Sequence, residues 1–155
     1  MNKYTYIFDL DDCIIMHNDL PLRYYNIREN HMITYYLSLC KGDKYIYTNG
    51  TYDHANVVLN NMKINHYFKK IYSRDTVDKM KPDYNSGLDV QNDIQRIGEI
   101  NNKIIFFDDQ LPNLETAKKL GWKTVWIHSK FNKSLQFNYV DHAFPTLISA
   151  LRILN

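Results

Sequence analysis

Three pairs of polar residues stand out because each pair follows a short apolar run. Asp9 and Asp11 follow Tyr4-Thr5-Tyr6-Ile7-Phe8. Thr48 and Asn49 follow Lys44-Tyr45-Ile46-Tyr47, and Asp108 and Asp109 follow Lys103-Ile104-Ile105-Phe106-Phe107. If the three runs are strands of one parallel sheet, all six polar residues emerge at its carboxyl edge. That is the edge at which open α/β sheets bind ligands, where the strand order reverses. Two acidic clusters gathered there repel one another, and their ionised forms are disfavoured unless positive charge sits between them. A pocket of carboxylate oxygens suits a hard cation, most simply Mg²⁺.

The elements that must position these residues are legible in the apolar pattern. Lys69 to Tyr72 adds a weaker strand, Lys123 to Ile127 another, and Val140 to Phe144 a short edge strand. The run at 103–107 is almost wholly apolar, as expected of a strand covered on both faces. Helical patterns fill the gaps. Met32, Tyr35, Tyr36 and Leu39 form one stripe, with Gly42 as a stop. Ala55, Val58, Leu59 and Met62 form a second, and Leu88, Ile94 and Ile97 a third, ended by Gly98. Leu111 to Leu120 is closed by Gly121, and Pro145 opens a last helix over Thr146 to Leu154, a position proline tolerates. Strands alternating with helices predict an α/β fold, a parallel sheet with helices on both faces.

The chain has 155 residues, 45% of them apolar and 23% charged, with a formal net charge of +2. Its length predicts one domain over 1–155 with a core of its own. So small a charge excess is not the footprint of a dedicated nucleic-acid binder. No apolar run approaches membrane-spanning length. Met1-Asn2-Lys3-Tyr4 runs straight into a strand-like segment without a secretory apolar core, and the cysteines are two, Cys13 and Cys40. These features predict a cytoplasmic protein with free thiols.

Four segments together resemble the haloacid dehalogenase (HAD) superfamily. Phe8-Asp9-Leu10-Asp11-Asp12-Cys13 resembles the first motif, Asp-x-Asp-x-Thr after an apolar strand. Tyr45-Ile46-Tyr47-Thr48-Asn49-Gly50 resembles the second, an apolar strand ending in Thr or Ser. Lys81 before Pro82 resembles the third, a lone Lys before a helix, and Phe106-Phe107-Asp108-Asp109 with Asn113 resembles the fourth. Cys13 replaces the commoner Thr or Val. Cys there, and the Asp-Asp-x-x-x-Asn fourth motif, are similar to eukaryotic pyrimidine nucleotidases. The resemblance implies a three-layer Rossmann-like (HAD-like) sheet with strand order 3-2-1-4-5. The short stretch between Asp11 and Thr48 leaves room for a flap at roughly 14–22 and one helix, within an insert at about 14–42, so the cap is expected to be minimal and the site open.

The resemblance also implies roles. Asp9 would attack phosphorus to give an aspartyl phosphate. Asp11 would protonate the leaving oxygen and then take a proton from water. Thr48 and backbone N–H groups near Asn49 and Leu10 would hold the phosphoryl oxygens, and Lys81 would neutralise charge. Asp9, the carbonyl of Asp11 and Asp108 would hold Mg²⁺, with Asp109 standing behind them or binding through water.

Other residues read more plainly. Lys79 is a rival for Lys81, which is preferred because Pro82 can open a helix beneath it. Asp12 is expected to be a solvated neighbour, and Cys13 is no nucleophile, since no basic residue adjoins it in sequence. His17, His31, His54, His66, His128 and His142 lack metal-ligand spacing and are expected in surface or core roles. Tyr24, Tyr25, Tyr35 and Tyr36 fit a helical core better than a binding platform. The expectation is a Mg²⁺-dependent phosphomonoester hydrolase, with a nucleotide as first substrate and a phosphoprotein, a nucleic-acid end or a sugar phosphate as alternatives. A non-catalytic module that binds phosphorylated ligands is the competing class, and a phosphoacceptor signalling domain a third. The phosphorylated substrate is the expected partner, with no membrane and with room for a homo-oligomer.

Overall fold

The computed structural model describes residues 4–17, 27–98 and 103–155. A six-stranded, wholly parallel sheet runs through it in the order β3-β2-β1-β4-β5-β6. The strands are β1 (Tyr4–Phe8), β2 (Lys44–Tyr47), β3 (Lys70–Tyr72), β4 (Lys103–Asp108), β5 (Lys123–Ile127) and β6 (His142–Phe144). The expected order holds, extended by the edge strand β6. Strand order reverses between β1 and β4, where Phe8 lies beside Phe107.

Among the described residues five α-helices cover the sheet: α1 (His31–Leu39), α2 (Tyr52–Asn61), α3 (Tyr84–Ile97), α4 (Leu111–Lys119) and α5 (Leu147–Leu154). Because side chains alternate along a strand, each strand feeds two cores. Phe8, Ile46, Phe107 and Val125 face α1, α2 and α5 through Leu37, Leu59 and Leu151. Ile7, Tyr45, Phe106 and Trp126 face α3 and α4 through Val90, Ile94 and Leu114. A fully buried Phe or Leu contributes about 1.5–3 kcal/mol, so strands buried on both faces hold the edge above them rigid.

Local chemistry starts and stops the helices. Asn30, Thr51 and Asp83 cap α1, α2 and α3 by accepting from their first-turn N–H groups. Thr146 and Ser149 form a reciprocal capping box on α5, satisfying donors that would otherwise lack partners. Pro145 and Pro82 therefore lie before the caps Thr146 and Asp83, not inside the first turns as their spacing suggested. After α4, Gly121 takes a positive φ of 83°, the left-handed cap that glycine adopts without strain.

Two predicted helix faces are corrected. In α1 the buried residues are Ile33 and Leu37, while Met32, Tyr35 and Leu39 are exposed and Tyr36 packs at the margin. The helix carries apolar residues on more than one side, so the pattern cannot choose the face that the sheet accepts. In α3 the buried face is Ser86, Gly87, Val90 and Ile94, with Ile97 exposed. Small residues there admit close approach: a Cβ on Gly87 would lie 2.5 Å from Leu120 Cδ1. The stripe of α2 is buried as expected. Tyr24, Tyr25 and much of the expected flap lie outside the described residues. No helix among the described residues is long and apolar enough to cross a membrane.

Candidate active site

The carboxyl ends of β1, β2 and β4 gather the residues singled out in the sequence. The centre is Lys81. Its Nζ lies 2.9 Å from Asp9 Oδ1 and 2.7 Å from Asp108 Oδ2, and all three residues are buried. The rival Lys79 is exposed and pairs with Asp83 at 3.6 Å. Lys81 reads from its sequence as a surface lysine. It is buried because the loop after β3 folds back over the sheet edge, where its Nζ lies over the Tyr47 and Phe106 rings, 5.2 and 5.4 Å from their centroids.

Asn49 fixes that loop. Its side-chain amide donates to the carbonyl of Lys81 and its side-chain oxygen accepts from the Lys81 N–H, each at 3.0 Å. The paired bonds hold the backbone of the lysine, so Asn49 has a placing role that its motif position did not suggest. Asp108 is held as firmly. Asn113 donates to both its carboxylate oxygens, at 3.2 and 3.0 Å, and the Gln110 N–H donates to Oδ1 at 2.7 Å. Thr48 is buried, and its hydroxyl oxygen accepts from the Gly50 N–H at 3.0 Å. Leu10 is fully buried, and its carbonyl accepts from the Cys13, Ile14 and Ile15 N–H groups, closing the turn after β1.

Asp9, Asp108 and Asp109 each present a carboxylate oxygen within 4.8 Å of the others. Burial drives the Asp9 carboxyl well above its ordinary range, opposed by Lys81 and reinforced by Asp108 and Asp109. Asp109 is pushed up to about 6, by burial first and then by Asp108. Burial alone would lower Lys81, but Asp108 and Asp9 outweigh it and hold the ammonium firmly protonated. One lysine thus faces three acids, an excess of negative charge that a divalent cation would balance. An all-oxygen carboxylate set fits a hard ion such as Mg²⁺. Asp109, read from sequence as standing behind the ligands, shares this cluster with Asp9 and Asp108.

The side chain of Asp11 is placed apart. Its carboxylate meets His54 Nε2, at 2.9 and 3.1 Å from its two oxygens, and His17 Nε2, at 2.7 Å from Oδ1. Neither histidine was visible as a site residue, because neither stands near Asp11 in any metal or catalytic spacing. Asp12 has a positive φ of 57° and accepts from the His17 N–H at 2.8 Å, so it shapes the turn and is not merely solvated. Cys13 is buried, its thiol pushed well up by burial and by the neighbouring acids, which agrees with an inert role. A cleft of about 410 Å³ opens at Asp109 and runs past Trp126, His128, Lys130, Lys133 and Phe137.

The same architecture recurs in solved structures. The L-2-haloacid dehalogenase of Xanthobacter autotrophicus, solved with chloropropionic acid covalently bound, aligns at a TM-score of 0.63 and 15% identity over 84% of this chain. YfnB of Bacillus subtilis, assigned as a HAD-hydrolase and solved bound to magnesium, aligns at 0.66 and 20% identity over 81% of this chain. This chain spans only 62% of the first and 54% of the second. The core domain of a protein assigned as a phosphoglycolate phosphatase, from Streptococcus pneumoniae TIGR4, aligns at 0.64 and 16% identity, covering 99% of this chain and 96% of that one. At these identities the likeness is one of fold. A search of curated protein sequences found no match. Residues 37–127, more than half of the chain, match the family model of haloacid dehalogenase-like hydrolases, and the chain belongs to that family.

Proposed function

We propose that this protein is a Mg²⁺-dependent phosphomonoester hydrolase in which Asp9 is the nucleophile. The observation that carries the reading is the buried Asp9–Lys81–Asp108 arrangement with Asp109 beside it and Asp11 held outside it. Two anions must meet in phosphoryl transfer, so positive charge beside the nucleophile matters most. Lys81 engages Asp9 Oδ1, which leaves Oδ2 as the attacking atom. As the Asp9 oxygen bonds to phosphorus, the bond from phosphorus to the leaving oxygen breaks, and Asp11 gives that oxygen its proton. Water then attacks the aspartyl phosphate and yields its proton to Asp11. The Asp9–phosphorus bond breaks, releasing inorganic phosphate and regenerating both acids. Asp9, Asp108 and Asp109, with the carbonyl of Asp11, would hold the cation. When bound, it supplies charge neutralisation at the phosphoryl oxygens. Thr48 and the N–H groups near Asn49 and Leu10 hold those oxygens.

Dehalogenation, the chemistry of one structural relative, fits these residues less well. A halide leaves without a proton, so the acid role of Asp11 would be idle, as would a cation site. For the substrate, the cleft beside Asp109 favours an anionic molecule with a flat ring, since it joins lysines to aromatic walls. A nucleotide matches that chemistry, and a phosphorylated macromolecule is the alternative that an open site admits. The test is release of p-nitrophenol from its phosphate ester, with and without Mg²⁺, by the native protein and Asp9→Asn, followed by nucleotides, sugar phosphates and phosphopeptides. Metal-dependent turnover lost in Asp9→Asn is expected. Turnover unchanged by the substitution refutes the nucleophile, and no turnover of any ester favours a module that only binds phosphorylated ligands.

A further inference from the structure

The Asp11 side chain has two rotatable bonds and stands at the mouth of the site, half-exposed. A general acid must be held within reach of the proton's destination, and Lys81, which orders Asp9 and Asp108, is engaged with those two residues. What holds Asp11 comes from α2. His54 sits in the first turn of that helix, its N–H donating to the Thr51 cap at 3.2 Å and its neighbour Ala55 fully buried. From that rigid base its Nε2 spans both Asp11 oxygens. His17 adds a second contact to Oδ1, at the end of the turn that Asp12 closes. Among the described residues Oδ1 is thus engaged twice, while Oδ2 has the longer contact of 3.1 Å.

Gly50 shows that this convergence is tight. A Cβ there would lie 2.9 Å from His54 Cδ2, 3.3 Å from Thr48 Oγ1 and 3.6 Å from Asp11 Oδ2. The absence of a side chain at position 50 lets the imidazole, the hydroxyl and the carboxylate approach one point. We propose that His54 is a positioning residue for Asp11, anchoring Oδ1 so that Oδ2 exchanges the proton, with His17 as a weaker brace from the exposed side. This rests on the phosphatase reading above.

The experiment compares kcat/KM for two monoesters that differ in need for an acid. p-Nitrophenolate leaves without a proton, whereas the alkoxide of glycerol 2-phosphate does not. His54→Ala is expected to lower kcat/KM at least ten-fold more on glycerol 2-phosphate than on p-nitrophenyl phosphate, in keeping with the roughly 10²–10⁴-fold that acid catalysis supplies. His54→Gln, whose amide reaches to about the place of Nε2, is expected to restore most of the difference. Equal losses on both esters, or none on either, overturn the proposal. The contact itself is read without turnover, from the imidazole ¹⁵N resonances of His54 in the native protein and in Asp11→Asn. They are expected to shift, and unchanged resonances overturn the proposal. Asp9→Asn that still hydrolyses both esters at the native rate would refute the phosphatase reading instead, so the two failures are distinguishable.

Discussion

Replacing Lys81 by Met, of similar length and without charge, removes the ammonium that bridges Asp9 and Asp108. The energetic consequence can be worked from the geometry. Both carboxylates are buried, at 2.9 and 2.7 Å from Nζ, and Asp109 adds a third acid within 4.8 Å. In protein treated with a chelator, loss of the ammonium is offset most cheaply by uptake of one further proton on the acids. The unfolded chain keeps those carboxylates ionised above about pH 4, so the folded variant binds one proton more than the unfolded one. Stability of the variant relative to native therefore falls as pH rises, by about 1.4 kcal/mol per pH unit. From a reference near 3.9 the loss reaches about 4 kcal/mol at pH 7, consistent with the roughly 3–5 kcal/mol cost of breaking a buried pair. At pH 5 it shrinks to about 1.5 kcal/mol. For a domain of this size each kcal/mol moves Tm by about 2–4 °C. Thermal melts followed by circular dichroism should then show a drop of roughly 8–16 °C at pH 7 and about 3–6 °C at pH 5. The same drop at both pH values would refute the proton-uptake argument, and no drop at either would refute the burial of the triad.

Further substitutions test the loop at that centre and other parts of the fold. Asn49→Ala removes both bonds that hold the Lys81 backbone; a cost of about 1–3 kcal/mol in urea unfolding is expected, with a larger fall in kcat than Thr116→Ala, which touches the same loop only at Pro82. Gly42→Ala would place a Cβ 1.7 Å from the Tyr4 carbonyl oxygen. That is backbone and cannot yield, so a loss of about 3 kcal/mol is expected, against about 1 kcal/mol for Gly121→Ala, which meets only its positive φ. Asp93 is held well below the usual carboxylate range by Lys70 and Tyr72, at 2.6 and 2.7 Å, and by Arg96. Its stabilisation is present above about pH 4 and lost as pH falls further; Asp93→Asn should cost about 1 kcal/mol at pH 7 after solvent screening, and the gap should close in acid melts.

Much of this protein could be read from its residues in order. β1, β2, β4 and β5 are marked by dense apolar runs, α2 by a regular stripe and α4 by its closing Gly121, because a strand or helix is a local response to nearby side chains. The acids after β1 and β4 could be assigned to one edge because parallel strands all end on the same side of a sheet. Contacts between distant segments were not legible. Lys81 looks exposed in sequence and is buried against Asp9, 72 residues away. His54 reaches Asp11 across 43 residues, and Asn49 clamps Lys81 across 32. The faces of α1 and α3 were likewise decided by what the sheet offered them, not by their own composition. Local pattern determines which elements form and which end of each carries the acids. The tertiary structure alone decides which side chains meet there, because that depends on strand order, on loop paths and on gaps such as the missing side chain at Gly50.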